Sequence, residues 1–419
     1  MGMTGKICRR WGTSAALAAA IAVSLPIGGS VALAADAVAH SAARAAGHAA
    51  GSATGHAAAL AVGSSMAAGQ VGARSAVPWR RVGAGWVLAE YWPGQFAGNG
   101  KPRSAAATLF LIDPAGGRYR LHRSAVTKNP PFLVDWSGDK SRALASGTGW
   151  LEQVILATGR VGRFRLPTGV QVIGYTRPDG RGLLGWRQVG SRFQLARYTL
   201  TGHLARVLAV GAHDLTAVYS PTGRTLAVGG TGGVQLVSNG GGVLRRLPVP
   251  GAGTAACFPS RWWNSGTILA SCQVRETSRD RLWLVPASGG KPAPLTAQRG
   301  HGGDIGAWQL PGGLYLQAIG SSGTGRIVEQ QASGHLRPVT VPGTAGNNWI
   351  AAARGPRLLL RAETPCFSSA SLLWFNPSNN RELMLIRTPR GLAGVLGSVP
   401  YGQPVADMLI SVSCINSHS

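Results

Sequence analysis

Acidic residues are scarce in this chain: 15 Asp and Glu stand against 41 Lys and Arg in 419 residues, a formal charge of +26. Lysine is scarcer still, with five against 36 arginines. Only 13% of residues are charged, which excludes a coiled coil or other long-helix protein, since those need dense charge and little glycine. No apolar run approaches twenty residues, so no segment reads as a bilayer-spanning helix. Cysteine is limited to five, with no two at C-x-x-C spacing, which argues against a Cys-ligated zinc. The motifs G-x-S-x-G, G-x-x-x-x-G-K-[ST] and H-E-x-x-H are all missing. Neither a metal nor a cofactor is expected.

What is abundant is glycine (61), proline (25) and apolar residues (45%), enough for a large core and unlike a disordered chain. Residues 1–34 read as a secretory signal: Lys6, Arg9 and Arg10, a short apolar run from Ser14 to Leu25, then Ala32-Leu33-Ala34. Residues 35–77 collapse to Ala, Gly, Ser and His and read as a flexible tether. His40, His48 and His56 recur every eight residues, about 12 Å apart along a helix and too far to share one ion. The folded domain is expected over 78–419.

That domain repeats. One class of turn runs Trp136-Ser137-Gly138-Asp139, Arg177-Pro178-Asp179-Gly180, Ser220-Pro221-Thr222-Gly223, Asn264-Ser265-Gly266, Leu310-Pro311-Gly312-Gly313 and Arg354-Gly355-Pro356. Its glycines at 138, 180, 223, 266, 312 and 355 are spaced by 42, 43, 43, 46 and 43 residues. A second class alternates with it, at Gly116, Gly159, Gly202, Gly240, Gly289, Gly334 and Asn379. Both put Gly or Asn where a tight hairpin needs positive φ. Four strand-length apolar runs fall in each period of about 43 residues, which is the signature of a four-stranded propeller blade. The expected fold is an all-β propeller of seven four-stranded blades, with eight as the alternative, strands a to d running from the centre outward.

Residues 394–402 resemble one more strand a with its turn, and 406–412 a strand b. Residues 86–92 and 107–112 resemble inner and middle strands with nothing before them. Joining the two ends in one shared blade removes a free sheet edge. Cys257 and Cys272 flank the turn at Asn264-Ser265 symmetrically and are placed to bridge, while Cys366 and Cys414 form a second candidate pair.

The segments Tyr219-Ser220-Pro221-Thr222-Gly223-Arg224-Thr225-Leu226-Ala227 and Tyr175-Thr176-Arg177-Pro178-Asp179-Gly180-Arg181 resemble TolB-like and WD-like propeller repeats of exported bacterial proteins. The similarity spans about 82–389. It implies a docking platform for protein partners, with no room here for a separate enzymatic domain. The Trp-Asp blade signature is reversed at Asp135-Trp136, and the Asp-box of sialidase-like propellers is missing.

Two clusters invite a site: His301 with Asp304 in a glycine-rich loop, and the adjacent Trp262-Trp263 as a sugar platform or a core and surface pair. Loop geometry argues further. In a propeller the a–b and c–d turns share one face and the b–c and d–a connections the other, and function favours the longer loops. The longer connections carry Lys101, Arg103, Lys128, Arg275, Arg279, Arg299 and His301, a basic face suited to an acidic ligand.

The expected function is therefore an exported, non-catalytic platform, monomeric, secreted or held at the cell envelope, that binds an envelope protein or an anionic polymer. The alternative is a propeller enzyme acting on polysaccharide with carboxylates on the same face. Removing residues 1–34 leaves 38 basic residues against 15 acidic, a charge of +23. Export takes away chromosomal DNA as the explanation, and specific base readout would need more than charge.

Overall fold

The computed structural model describes residues 66–96, 103–212, 216–273, 280–297, 303–319, 324–364 and 369–402. They belong to one compact unit, Ser65–Ser419. No α-helix occurs among the described residues, only two single 3-10 turns, Arg74–Ala76 and Trp79–Arg81.

The strands follow one another with little else between them. A short β1 (Val71–Ala73) leads into β2 (Val87–Trp92), β3 (Ala105–Ile112) and β4 (Arg118–Thr127). Next come β5 (Phe132–Trp136), β6 (Arg142–Gly147), β7 (Trp150–Ile155) and β8 (Val161–Phe164), then β9 (Val170–Tyr175), β10 (Leu183–Val189), β11 (Arg192–Tyr198) and β12 (Leu204–Gly211). A fourth group is β13 (Ala217–Tyr219), β14 (Thr225–Thr231), β15 (Gly233–Ser238) and β16 (Val243–Pro248). A fifth is β17 (Ala256–Asn264), β18 (Thr267–Gln273), β19 (Asp280–Pro286) and β20 (Ala293–Pro294). The last groups are β21 (Asp304–Leu310), β22 (Gly313–Ile319), β23 (Gly325–Gln330) and β24 (Leu336–Pro338), then β25 (Asn347–Arg354), β26 (Arg357–Glu363), β27 (Ala370–Asn376) and β28 (Arg381–Ile386). β29 (Gly394–Pro400) ends the series.

Within each group consecutive strands pair antiparallel, and β29 pairs antiparallel with β2, from Val87↔Pro400 to Trp92↔Gly394. The early strand β2 and the last described strand β29 thus meet in one sheet, β29-β2-β3-β4, with β1 added in parallel outside β4. Among the described residues this makes seven four-stranded sets. Burial falls from centre to rim: all seven residues of β29 are buried, whereas β16 buries only Leu247. The fold is a β-propeller.

Successive side chains of a strand face opposite sheets, so neighbouring sets share cores. Leu226 and Val228 of β14 pack with Leu184 and Leu195 of the third set, while Ala227 packs with Ile268 of the fifth. The same pairing of neighbours carries round the ring until Leu359 and Trp374 of the seventh set meet Val87 and Phe110 of the first. This two-sided burial explains the nearly continuous apolar runs of the middle strands.

Three expectations are corrected here. The segment 86–92 is the second strand of its sheet, because the C-terminal β29 takes the inner place. Composition put residues 66–77 in the tether, yet Val71–Ala73 pair with Arg118–Arg120, Val77 is buried, and Arg74 donates 3.0 Å to the Leu121 carbonyl. In the first turn of the 43-residue series, positive φ falls on Lys140 (65°) and not on Gly138. Gly138 is needed for a different reason: a Cβ there would lie 2.1 Å from the Pro178 carbonyl oxygen of the next hairpin.

Candidate binding surface and buried carboxyls

The two series of glycine turns join first to second or third to fourth strands, and the remaining connections share the opposite face; three of these, at Gly149, Gly190 and Gly232, are themselves tight glycine turns between second and third strands, so that face is not made of long loops alone. Of the residues expected to make that face basic, Arg103 and Lys128 are described and both are exposed. Arg103 lies between β2 and β3, where its backbone pairs with Gln95, and Lys128 follows β4 on the way to β5. Lys101, Arg275, Arg279, Arg299 and His301 lie outside the described residues, as do Cys366, Cys414, segment 406–412 and the signal. Asp304 opens β21 fully buried, so its carboxylate is not presented on a loop surface.

The two tryptophans divide between cores. Trp262 packs with the core shared by the fourth and fifth sets and donates from Nε1 to the Val218 carbonyl, 3.3 Å. Trp263 packs with the core shared by the fifth and sixth sets, its ring 5.1 Å from the Arg261 guanidinium. They face opposite sides of β17 and make no common platform for a sugar.

The carboxyls show what else the scaffold can do. Among the described residues six are buried: Glu90, Asp113, Asp135, Glu152, Asp304 and Glu363. Asp135 on β5 accepts from Arg177 Nη2 at 2.7 Å and from the backbone N–H groups of Tyr175 and Trp136, 2.7 Å each. Burial pushes this carboxyl above its ordinary value, opposed by the Arg177 charge and by the three donors. Glu363 on β26 is pushed up by burial too, opposed by Arg361 at 2.9 Å and by the Trp349 and Asn347 donors. Each of these ties one set to another or fixes a strand on its neighbour.

Glu90 and Glu152 are the closest to an acid pair. They project from β2 and β7 into one cavity of about 10 Å³, lined also by His122, Ser124 and apolar residues. Glu152 pairs with Arg163 at 2.9 Å. Burial first, then the Glu152 charge, pushes the Glu90 carboxyl up to about 8, against a hydrogen bond from the Leu133 backbone. Burial also lowers the half-buried His122. A cavity of that size holds about one water and no sugar ring, so the pair cannot flank a glycosidic bond where it stands.

Cys257 and Cys272 are bonded, directly opposite on β17 and β18, with Cα atoms 4.1 Å apart. Among the described residues no group of three or more His, Cys, Asp or Glu side chains is arranged so that it could hold a metal ion, and no helix is long and apolar enough to cross a membrane.

No protein-family model and no curated protein matches the chain. Solved structures to which it is similar include a TolB-like protein from Agrobacterium tumefaciens, at 14% identity over 76% of this chain and 91% of that one, TM-score 0.38. The β-propeller domain of the Trilobed protease from Pyrococcus furiosus is similar at 11% identity, over 71% and 94%, TM-score 0.46. A prolyl endopeptidase is similar at 12% identity over 74% of this chain, TM-score 0.47, and the chain spans about half of that enzyme, 51%. These are likenesses of fold.

Proposed function

We propose that the protein is an exported, non-catalytic propeller that binds a protein or anionic polymer at the cell envelope through the face formed by its longer connections. The observation that supports this most is the fate of the charges. Six of the few carboxyls are buried, and Asp139, Asp179 and Glu329 are engaged by Arg142, Arg181 and Arg337. Among the described residues little unpaired negative charge is left exposed to offset the arginine excess. Lys101, Arg103, Lys128, Arg275, Arg279, Arg299 and His301 are the residues assigned to contact the ligand. The Cys257–Cys272 bridge fits an oxidising compartment.

The test is retention of the purified protein on an immobilised anionic polymer, and recovery of partners from envelope extract. Wild type is compared with Arg275→Glu/Arg279→Glu/Arg299→Glu and with Arg103→Glu/Lys128→Glu. Loss of binding in these variants, with unchanged thermal unfolding, is the expected result. Equal recovery of every ligand by all three proteins would overturn the assignment of this face.

A further inference from the structure

At the rim of the propeller, β16 is the outer strand of its sheet: β15 covers one edge and no described strand covers the other. Exposed Val243 and Leu244 begin it, and Arg245 and Arg246 follow. Beside it, residues Leu247–Pro250 and Gly289–Pro292 line an open groove of about 290 Å³ between the fourth and fifth sets, with Lys291 on its wall. Arg245 reaches across to the turn at Gly289, where a Cβ would lie 2.6 Å from its Nη1.

Exposed apolar side chains are concentrated here. Of eight large ones exposed among the described residues, five lie on β16 and on β12, the outer strand of the preceding set: Leu204, Val207, Val210, Val243 and Leu244. Unpaired edges normally carry protection by charge or proline, and Arg245, Arg246 and Pro248 supply some. An apolar pair at the exposed start of such an edge, next to a groove, is the opposite of protection.

The charge around this rim is one-sided. From Arg181 to Arg275 the chain holds ten arginines and a single acid, Asp214. Arg206, Arg245 and Arg246 form no ion pair with a described acid. A segment laid along β16 would therefore be favoured by acidic side chains opposite Arg245 and Arg246 and by apolar ones over Val243, Leu244 and the groove.

We infer that the outer edge of β16 and the adjoining groove take up an extended, acidic-apolar peptide segment of a partner protein as an added strand. The molecule carries this geometry on its own first sheet, where β1 lies along the outer edge of β4 in register Val71↔Arg118. Backbone hydrogen bonds to the edge give affinity and alternate side chains give selectivity, as in other strand-addition recognition. This inference does not rest on the assignment of the basic loop face.

The test uses the full chain and a labelled synthetic peptide of repeated Val-Val-Glu-Glu, the pattern that sets Glu opposite both Arg245 and Arg246 and Val opposite Val243 and Leu244, with a Val-Val-Lys-Lys peptide and polyglutamate as controls. Saturable binding of the Val/Glu peptide is expected, weakened about 10-fold or more in Arg245→Glu/Arg246→Glu, and unchanged in Arg103→Glu/Lys128→Glu. Hydrogen exchange on the wild-type protein supplies a second readout that needs no variant: the peptide is expected to protect amides of β16. Equal binding of polyglutamate would show that the rim reads charge alone and would overturn strand addition. So would saturable Val/Glu binding without protection of β16, or no saturable binding at all.

Discussion

Glu90 is a carboxyl that folding places in a cavity with Glu152, His122 and Ser124, with Arg163 held by Glu152 nearby. In the unfolded chain it ionises near its ordinary value of 4.5, whereas in the folded protein it holds its proton up to about 8. The folded state therefore binds the extra proton between these values, and this group's contribution to stability is greatest below pH 4.5 and declines as pH rises to about 8. Glu90→Gln removes that ionisation while keeping shape. It is expected to be more stable than wild type by about 4 kcal/mol at pH 8 and nearly equal at pH 4.5. Urea unfolding at the two pH values checks this; a gain that does not depend on pH would refute the assigned protonation. Asp135 is pushed up by burial too, but it has an oppositely charged partner in place, Arg177 at 2.7 Å. Asp135→Ala leaves Arg177 buried without a counter-charge and is expected to cost about 3 kcal/mol or more by the same measurement. Neither role could be read locally. In sequence Glu90 is one acid in an apolar run, and its polar neighbours lie more than 30 residues away, His122 and Ser124 on β4 of its own sheet and Glu152 on another.

Among the elements, the hairpin β17–β18 shows how far local spacing carries. The cysteines stand symmetrically about the Asn264-Ser265 bond, and that count places them opposite. The hairpin actually closes on Asn264↔Thr267, which by itself would put them out of step. Two irregularities in β17, between Pro259 and Arg261 and between Trp262 and Asn264, absorb the difference and bring Cys257 opposite Cys272. The bridge closes a loop of 15 residues, so reduction is expected to cost about 3 kcal/mol. Non-reducing peptide mapping with unfolding in the presence and absence of reductant checks both the pairing and its weight. β1 shows the opposite limit. Val71–Ala73 sits in a stretch of small residues with no strand pattern, and its pairing with β4 became visible only in the assembled sheet. A chain beginning at Pro78 is expected to lose about 2 kcal/mol against one beginning at Ser65, mainly through β1 and the buried Val77. Equal thermal midpoints would show that this segment adds nothing.

For the whole molecule, the glycine and proline turns announced the architecture. Two regular series of turns define strand groups at a period near 43 residues, and hairpins form between neighbours in sequence, so their order is a local property. Which sheet joins early and late strands is a long-range property, decided by β29 pairing with β2 across some 300 residues. The wedge of Tyr401 against Trp136, with ring centroids 5.3 Å apart, and of Lys140 over Tyr401 at 4.9 Å adds to that closure. The scarcity of acids, the arginine excess, the turn periodicity and the placement of Cys257 near Cys272 were all determined by the amino-acid sequence alone, because each depends on composition or on neighbours along the chain. The tertiary structure alone decided that most buried acids serve the scaffold, that Trp262 and Trp263 part company, and that the apolar side chains of β12 and β16 remain on the rim. Those outcomes depend on which sheet faces which, and strand periodicity does not encode the facing partner.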